Sequence, residues 1–105
     1  MRLRVGERRR STRTGISGTA ILRDSARRFI ARCRVTNVSR HGAFLMLSQP
    51  VDLALGDEGF VEMAFRGEHG TRPRLTSAVY SCRVVRIQRM GGLTGLGLEL
   101  VKKLG

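Results

Sequence analysis

Residues 90–100 read Met-Gly-Gly-Leu-Thr-Gly-Leu-Gly-Leu-Glu-Leu, and this stretch decides the predicted fold. Leu96, Leu98 and Leu100 occupy every second position, which is the period of a β-strand with one buried face. The pair Gly91-Gly92 supplies residues that adopt positive φ at little cost, as a tight hairpin turn requires. The stretch therefore predicts a final β-hairpin whose last strand lies against a core.

The same alternation extends outward over most of the chain. Around residue 32, Phe29, Ala31, Cys33 and Val35 share one side and arginines the other, so the first set is predicted to be core. Six strands are predicted, at residues 19–23, 29–38, 43–47, 59–65, 75–89 and 93–101. Two glycines and a proline predict a loop over residues 66–74. Only residues 98–104 could form a helix, and a short one. Six strands in so short a chain predict an all-β fold, a small barrel.

Length and charge limit the organisation and the partners. A chain of 105 residues fits one domain. Twenty basic residues against eight acidic ones give a net charge of +12, so we expect an anionic partner. Residues 1–34 hold eleven of the arginines. We predict a flexible basic arm over residues 1–15, called the N-terminal arm below, followed by a barrel domain over residues 16–105.

Several classes of protein are excluded by what the sequence lacks. Cys33 and Cys82 have no metal-binding or redox spacing and are predicted to be buried, reduced thiols. The polar first ten residues do not resemble a signal peptide, and the apolar runs are too short for a membrane span. We therefore expect a cytoplasmic protein without membrane insertion. His41 and His69 lack accompanying nucleophiles and carboxylates, so we predict no enzyme, metal or cofactor.

Two short patterns are candidates for ligand binding. Arg9 and Arg13 stand four residues apart in the basic arm, a spacing that a solvated tail also produces. Residues 37–42 read Asn-Val-Ser-Arg-His-Gly at the end of a predicted strand. Asn and Ser side chains donate and accept hydrogen bonds, and Gly allows close approach of the backbone, but an ordinary turn has the same composition.

Together and in this order the two patterns resemble the motifs of the PilZ domain family, R-x-x-x-R followed by [D/N]-x-S-x-x-G. Arg9 and Arg13 match the first motif, and Asn37, Ser39 and Gly42 match the second. Residues 82–87 and 95–100 are also similar to late strands of the family. The resemblance covers residues 7–100. The family commonly carries a C-terminal helix, for which this sequence leaves room for at most a short one.

The resemblance implies a six-stranded antiparallel β-barrel that binds the bacterial second messenger cyclic di-GMP. It implies that Arg9 and Arg13 contact phosphate and guanine, with Arg10 as a further contact. Arg8 is a fourth candidate, because family members with an additional preceding arginine hold a stacked pair of ligand molecules. Asn37, Ser39 and Gly42 would line the barrel side of the site.

We therefore expect a non-catalytic signalling adaptor, in which cyclic di-GMP orders the N-terminal arm and creates a surface for an effector protein that the sequence does not identify. Two alternatives remain open. One is a basic barrel that binds RNA or DNA through phosphates, which is disfavoured because the aromatic residues are predicted to be mostly in the core: Phe29, Phe44, Phe60, Phe65 and Tyr80. The other is a protein-interaction module without a ligand.

Overall fold

The computed structural model describes residues 17–69 and 72–105, with the backbone alone at 17, 66–69 and 72–75. The N-terminal arm lies outside the described residues. Six strands form one closed antiparallel barrel in the order β1-β2-β3-β6-β5-β4, which confirms the predicted fold class. The strands are β1 (Ser17–Asp24), β2 (Phe29–Val38), β3 (Gly42–Leu47), β4 (Glu58–His69), β5 (Arg72–Met90) and β6 (Leu93–Lys103).

The final hairpin is confirmed. Strands β5 and β6 pair up to Met90 and Leu93, and the turn between them consists of the two glycines. Of these, Gly91 alone has a positive φ, at 60°. Strand β6 continues to Lys103, so residues 98–103 are extended, and the described residues contain no helix.

The core lies inside the barrel and is built from the inward face of every strand. Leu45 and Leu96 are completely buried at adjacent positions of β3 and β6. Cys33 and Cys82 are buried free thiols, as predicted. The core residues are Ala20, Leu22, Ala31, Cys33, Ala43, Leu45, Leu47, Val61, Met63, Cys82, Val84, Leu96, Leu98 and Leu100.

The predicted loop over residues 66–74 is wrong. Residues 66–69 belong to β4 and residues 72–74 to β5, and the two strands pair as far as His69 and Arg72. Pro73 is tolerated there because β6 does not reach this part of β5, so its missing N–H can face an unpaired side of the strand. Gly67 therefore lies within β4 and does not end it.

The prediction that Phe29 is core is also wrong, because its side chain is 55% exposed. A bulge places both Phe29 and Ala31 opposite consecutive residues of β1, which leaves Ile30 as the extra residue. Ile30 packs against the core and Phe29 turns outward. The other four aromatic residues, Phe44, Phe60, Phe65 and Tyr80, are half-buried, and of these Phe65 and Tyr80 pack against the core.

Candidate functional site

Two of the predicted site residues lie at the turn between β2 and β3: Ser39 is in the turn, and Gly42 is the first residue of β3. The backbone N–H of Ser39 donates to the Gly42 carbonyl at 2.8 Å, which closes the turn. The exposed Ser39 hydroxyl lies 3.5 Å from the same oxygen. A Cβ atom at Gly42 would lie 3.2 Å from the Leu98 carbonyl oxygen of the neighbouring strand. The close approach of β6, and not a positive φ, therefore favours glycine at position 42.

A bulge in β2 turns Asn37 outward. Val35 pairs with Leu45 and Asn37 with Phe44, so Thr36 is an extra residue. Strict alternation from Cys33 and Val35 would have pointed Asn37 into the core. The extra residue reverses the side of the strand to which the following side chains point, so the Asn37 side chain is exposed on the outer surface.

A second bulge, in β5, has the same effect on Arg86. Val84 pairs with Leu98 and Arg86 with Gly97, which leaves Val85 as the extra residue. Val84 is buried, whereas Val85 and Arg86 are both exposed. Beyond the bulge Gln88 pairs with Gly95, so Arg86 and Gln88 share the outer face.

Between the two bulged strands lie β3 and β6. Gly95 and Gly97 of β6, which we call the glycine platform, are buried under neighbouring side chains. A Cβ atom at Gly95 would lie 2.6 Å from Cζ of Phe44, and one at Gly97 would lie 2.9 Å from Cβ of Arg86. The Phe44 ring and the stem of Arg86 therefore cover the platform from its two sides. One row of paired residues crosses four strands through Asn37, Phe44, Gly97 and Arg86.

Asn37, Phe44 and Arg86 of this row line an open cavity of about 460 Å³, whereas Gly97 is buried and is not part of the lining. Three strand spacings separate Asn37 from Arg86, about 14 Å along the sheet. The lining contains amides, a hydroxyl and a guanidinium but no carboxylate: Asn37, Val38, Ser39, Gly42, Ala43, Phe44, Arg86 and Gln88. Such a surface can bind an anion that also carries flat, hydrogen-bonding rings.

The structure thus brings Asn37, Ser39 and Gly42 together in one cavity. The four predicted arginines Arg8, Arg9, Arg10 and Arg13 lie outside the described residues. Sequence reasoning missed Arg86, Gln88 and Phe44. The signal that could have found Arg86 is the doubled valine at 84–85, which breaks the alternation just before it.

The lining of this cavity contains no acidic residue, although Glu99, which accepts a hydrogen bond from Arg83 at 3.0 Å, pairs with Gly42 of the lining. Asp52, Asp57 and Glu58 line a different cavity, beside the turn between β1 and β2. In that turn the backbone N–H of Arg28 donates to Asp24 at 2.9 Å, which is the main reason the pKa of Asp24 is lowered. The cavity at Asn37 is therefore on a surface free of carboxylates among its lining residues.

The described residues show neither a metal-binding group of three or more His, Cys, Asp or Glu nor a helix long and apolar enough to cross a membrane. His41 is exposed in the β2–β3 turn, where its carbonyl accepts a hydrogen bond from the Leu100 N–H at 2.8 Å.

The described residues thus form a small closed β-barrel with a polar, cationic recess on its outer surface. The chain belongs to the PilZ domain family, since the model of the PilZ domain matches residues 7–104. This is a family of cyclic di-GMP-binding domains. No curated protein and no solved structure gives a significant match to the chain.

Proposed function

We propose that this PilZ domain binds cyclic di-GMP over the glycine platform and acts as a non-catalytic signalling adaptor. The observation that carries the proposal is the convergence of Asn37, Ser39 and Gly42 on one cavity with Arg86 and Gln88. Two bulges are needed to place Asn37 and Arg86 on this surface, because the period of the strands alone would bury them.

The chemistry of the cavity is complementary to the ligand. Cyclic di-GMP carries two phosphate charges and two guanines. A guanidinium can donate two parallel hydrogen bonds to guanine O6 and N7, or pair with a phosphate. We assign this role to Arg86 within the barrel. The amides of Asn37 and Gln88 and the hydroxyl of Ser39 can both donate and accept, so they can bind base edges or phosphate oxygens.

The N-terminal arm supplies the remaining cations in this proposal. Arg9 and Arg13 would contact the ligand from the side opposite the platform, with Arg10 and Arg8 as additional contacts. Closure of the arm over the ligand would convert a binding event into a new surface, which an effector protein reads. Support for this part comes from the family and from the order of the two motifs in the sequence.

Isothermal titration calorimetry with cyclic di-GMP tests the proposal. We expect saturable binding, and Arg9→Ala, Arg13→Ala, Ser39→Ala and Arg86→Ala should each weaken it. Loss of a charge-assisted hydrogen bond from an arginine should raise Kd about tenfold or more. Arg28→Ala is the matched control: it removes the same charge at the opposite end of the barrel, where Arg28 pairs with Asp24 at 3.1 Å.

Absence of heat at millimolar cyclic di-GMP would reject the proposal, as would an Arg28→Ala defect equal to that of Arg86→Ala. A single-stranded oligonucleotide should be titrated in parallel at two salt concentrations. Oligonucleotide binding that falls steeply with salt, without cyclic di-GMP binding, would instead support the nucleic-acid alternative. That alternative is relevant because Phe29 is an exposed aromatic residue.

A further inference from the structure

Strand β5 extends beyond the barrel. It has 19 residues, whereas β6 pairs with it only from Tyr80 to Met90. Its first seven residues, 72–78, pair with β4 on one side. Together with their partners, residues 63–69 of β4, they form an antiparallel pair that we call the ribbon. Among the described residues, no strand pairs with residues 72–78 on their other side.

The hydrogen bonds of Val79 show which backbone groups face that other side. The Val79 N–H donates to the Gly105 carbonyl at 2.8 Å, and its carbonyl accepts from the Leu104 N–H at 2.7 Å. Both groups therefore point away from β4. Successive residues of a strand alternate in direction, so the N–H and C=O groups of Ser77 and Leu75 point the same way. These four groups form the open edge of β5.

The open edge lies next to Val79, the last residue of β5 that bonds to Leu104 and Gly105. A strand added there would lie in line with these two residues. Pro73 closes the far end, because proline has no N–H to offer to an incoming strand. The accessible segment is therefore short, about four residues of added strand. Thr76 and Ser77 are exposed there, which leaves room for a partner's side chains.

The positive charge near the open edge favours an acidic partner. The sequence of residues 66–75 contains three arginines and one glutamate. At the other end of the open edge, Lys102 and Lys103 are exposed and pair with Ser81 and Tyr80. A second copy of this chain would bring the same positive charges into contact. An extended segment carrying acidic residues would be attracted at both ends.

We infer that the open edge of β5 at Leu75 and Ser77 binds an extended acidic segment of another protein by strand addition. The main-chain groups of these two residues would supply the hydrogen bonds, and the flanking cations would supply the preference for acidic side chains. This inference does not depend on cyclic di-GMP, because the ribbon shares no residue with the cavity at the glycine platform.

The test uses the full chain and an acetylated, amidated eight-residue peptide that alternates glutamate with valine. The same peptide with lysine in place of glutamate is the matched control. Backbone amide exchange is followed by NMR. We expect the glutamate peptide to slow exchange at Ser77 at least tenfold, and to leave Ala78, which faces β4, nearly unchanged.

Two substitutions at one position separate edge pairing from side-chain effects. Ser77→Pro removes an N–H that faces the open edge and leaves the bonds to β4, so binding should weaken at least tenfold. Ser77→Ala keeps the N–H and should change Kd less than twofold. Melting curves check that both variants fold. If the Ser77→Pro protein does not fold, amide exchange at Ser77 in the unmodified chain still tests the inference.

Three results would overturn the inference. The first is no binding of the glutamate peptide at millimolar concentration, and the second is equal binding of the lysine peptide or equal binding by both Ser77 variants. The third is concentration-dependent dimerisation in sedimentation experiments that Ser77→Pro abolishes, because the occupant would then be a second copy of the chain.

Discussion

The two cysteines show how burial sets the chemistry of individual residues. Cys33 and Cys82 are 5% and 3% exposed, and burial raises the pKa of each thiol to about 11 from an ordinary value of 9.0. The folded protein therefore holds both thiols in the neutral form well above neutral pH. A neutral, buried thiol is a poor nucleophile, so the residues act as small core side chains.

This burial predicts a loss of stability at alkaline pH. Below about pH 9 both states hold protonated thiols and the stability is unaffected. Between about pH 9 and 11 the unfolded chain ionises and the folded chain does not, which favours unfolding. Urea denaturation at pH 8 and pH 10.5 should show a fall in stability. The double variant Cys33→Ala, Cys82→Ala should show a smaller fall. An equal fall would contradict the conclusion that the two buried thiols cause the loss of stability.

At the scale of elements, the strands and their inward faces could be predicted, and the bulges could not. Alternation placed Leu96, Leu98 and Leu100 in the core because hydrophobic burial follows the pleat of the strand. It also placed Phe29 there, wrongly, because an extra residue in the ladder reverses every side chain beyond it. A bulge depends on the pairing of two distant segments, so local sequence does not determine it.

The same limit explains which site residues were found. Asn37, Ser39 and Gly42 form a compact local motif, and the structure brings them into one cavity. Arg86 joins them across β3 and β6, at a distance in sequence that only the barrel closes. The loop predicted at residues 66–74 fails for a related reason. Proline ends a strand only where a neighbouring strand needs its missing N–H, and β6 does not reach Pro73.

The glycine platform gives a prediction for β6. Gly97→Ala places a Cβ atom against Cβ of Arg86, a part of the side chain that cannot rotate away. We expect a loss of stability of about 1–3 kcal/mol from overpacking, together with weaker cyclic di-GMP binding because Arg86 is displaced. Thermal unfolding and calorimetry measure the two effects.

Gly92→Ala is the control for this change. A Cβ atom at Gly92 meets no atom within 4 Å, and the φ of Gly92 is not positive. The stability and the affinity for cyclic di-GMP should therefore stay close to those of the unmodified protein. A Gly97→Ala protein that binds cyclic di-GMP as well as the Gly92→Ala protein would show that the platform does not position Arg86 for the ligand.

For the whole molecule, the distribution of charge is the property that connects fold and function. The net charge of +12 is concentrated in residues 1–34, and several acidic side chains of the barrel form ion pairs. Glu62 pairs with Arg23 at 2.6 Å, and Arg83 lies between Glu58 and Glu99 at 3.3 and 3.0 Å. These pairs leave the cavity at Asn37 without a competing carboxylate, so a doubly negative ligand can attract both the arm and the barrel.

This distribution predicts that cyclic di-GMP protects the N-terminal arm from proteolysis. Trypsin cleaves after arginine, and the arm offers six such positions. If the arm closes over the ligand, saturating cyclic di-GMP should slow cleavage after Arg9 and Arg13 at least tenfold, as followed by mass spectrometry. Cleavage in the exposed β1–β2 turn, at Arg27 and Arg28, should change much less, since it lies at the opposite end of the barrel.

The Ser39→Ala protein provides the matched comparison, because it keeps every cleavage position and should lose the protection as its affinity falls. Binding should also raise the stability of the barrel, by about 2.7 kcal/mol when free ligand reaches a hundredfold Kd. Stabilisation without protection of Arg9 and Arg13 would mean that the barrel alone holds the ligand. Signalling would then have to arise from the surface around Arg86, because the arm would take no part in closing the site.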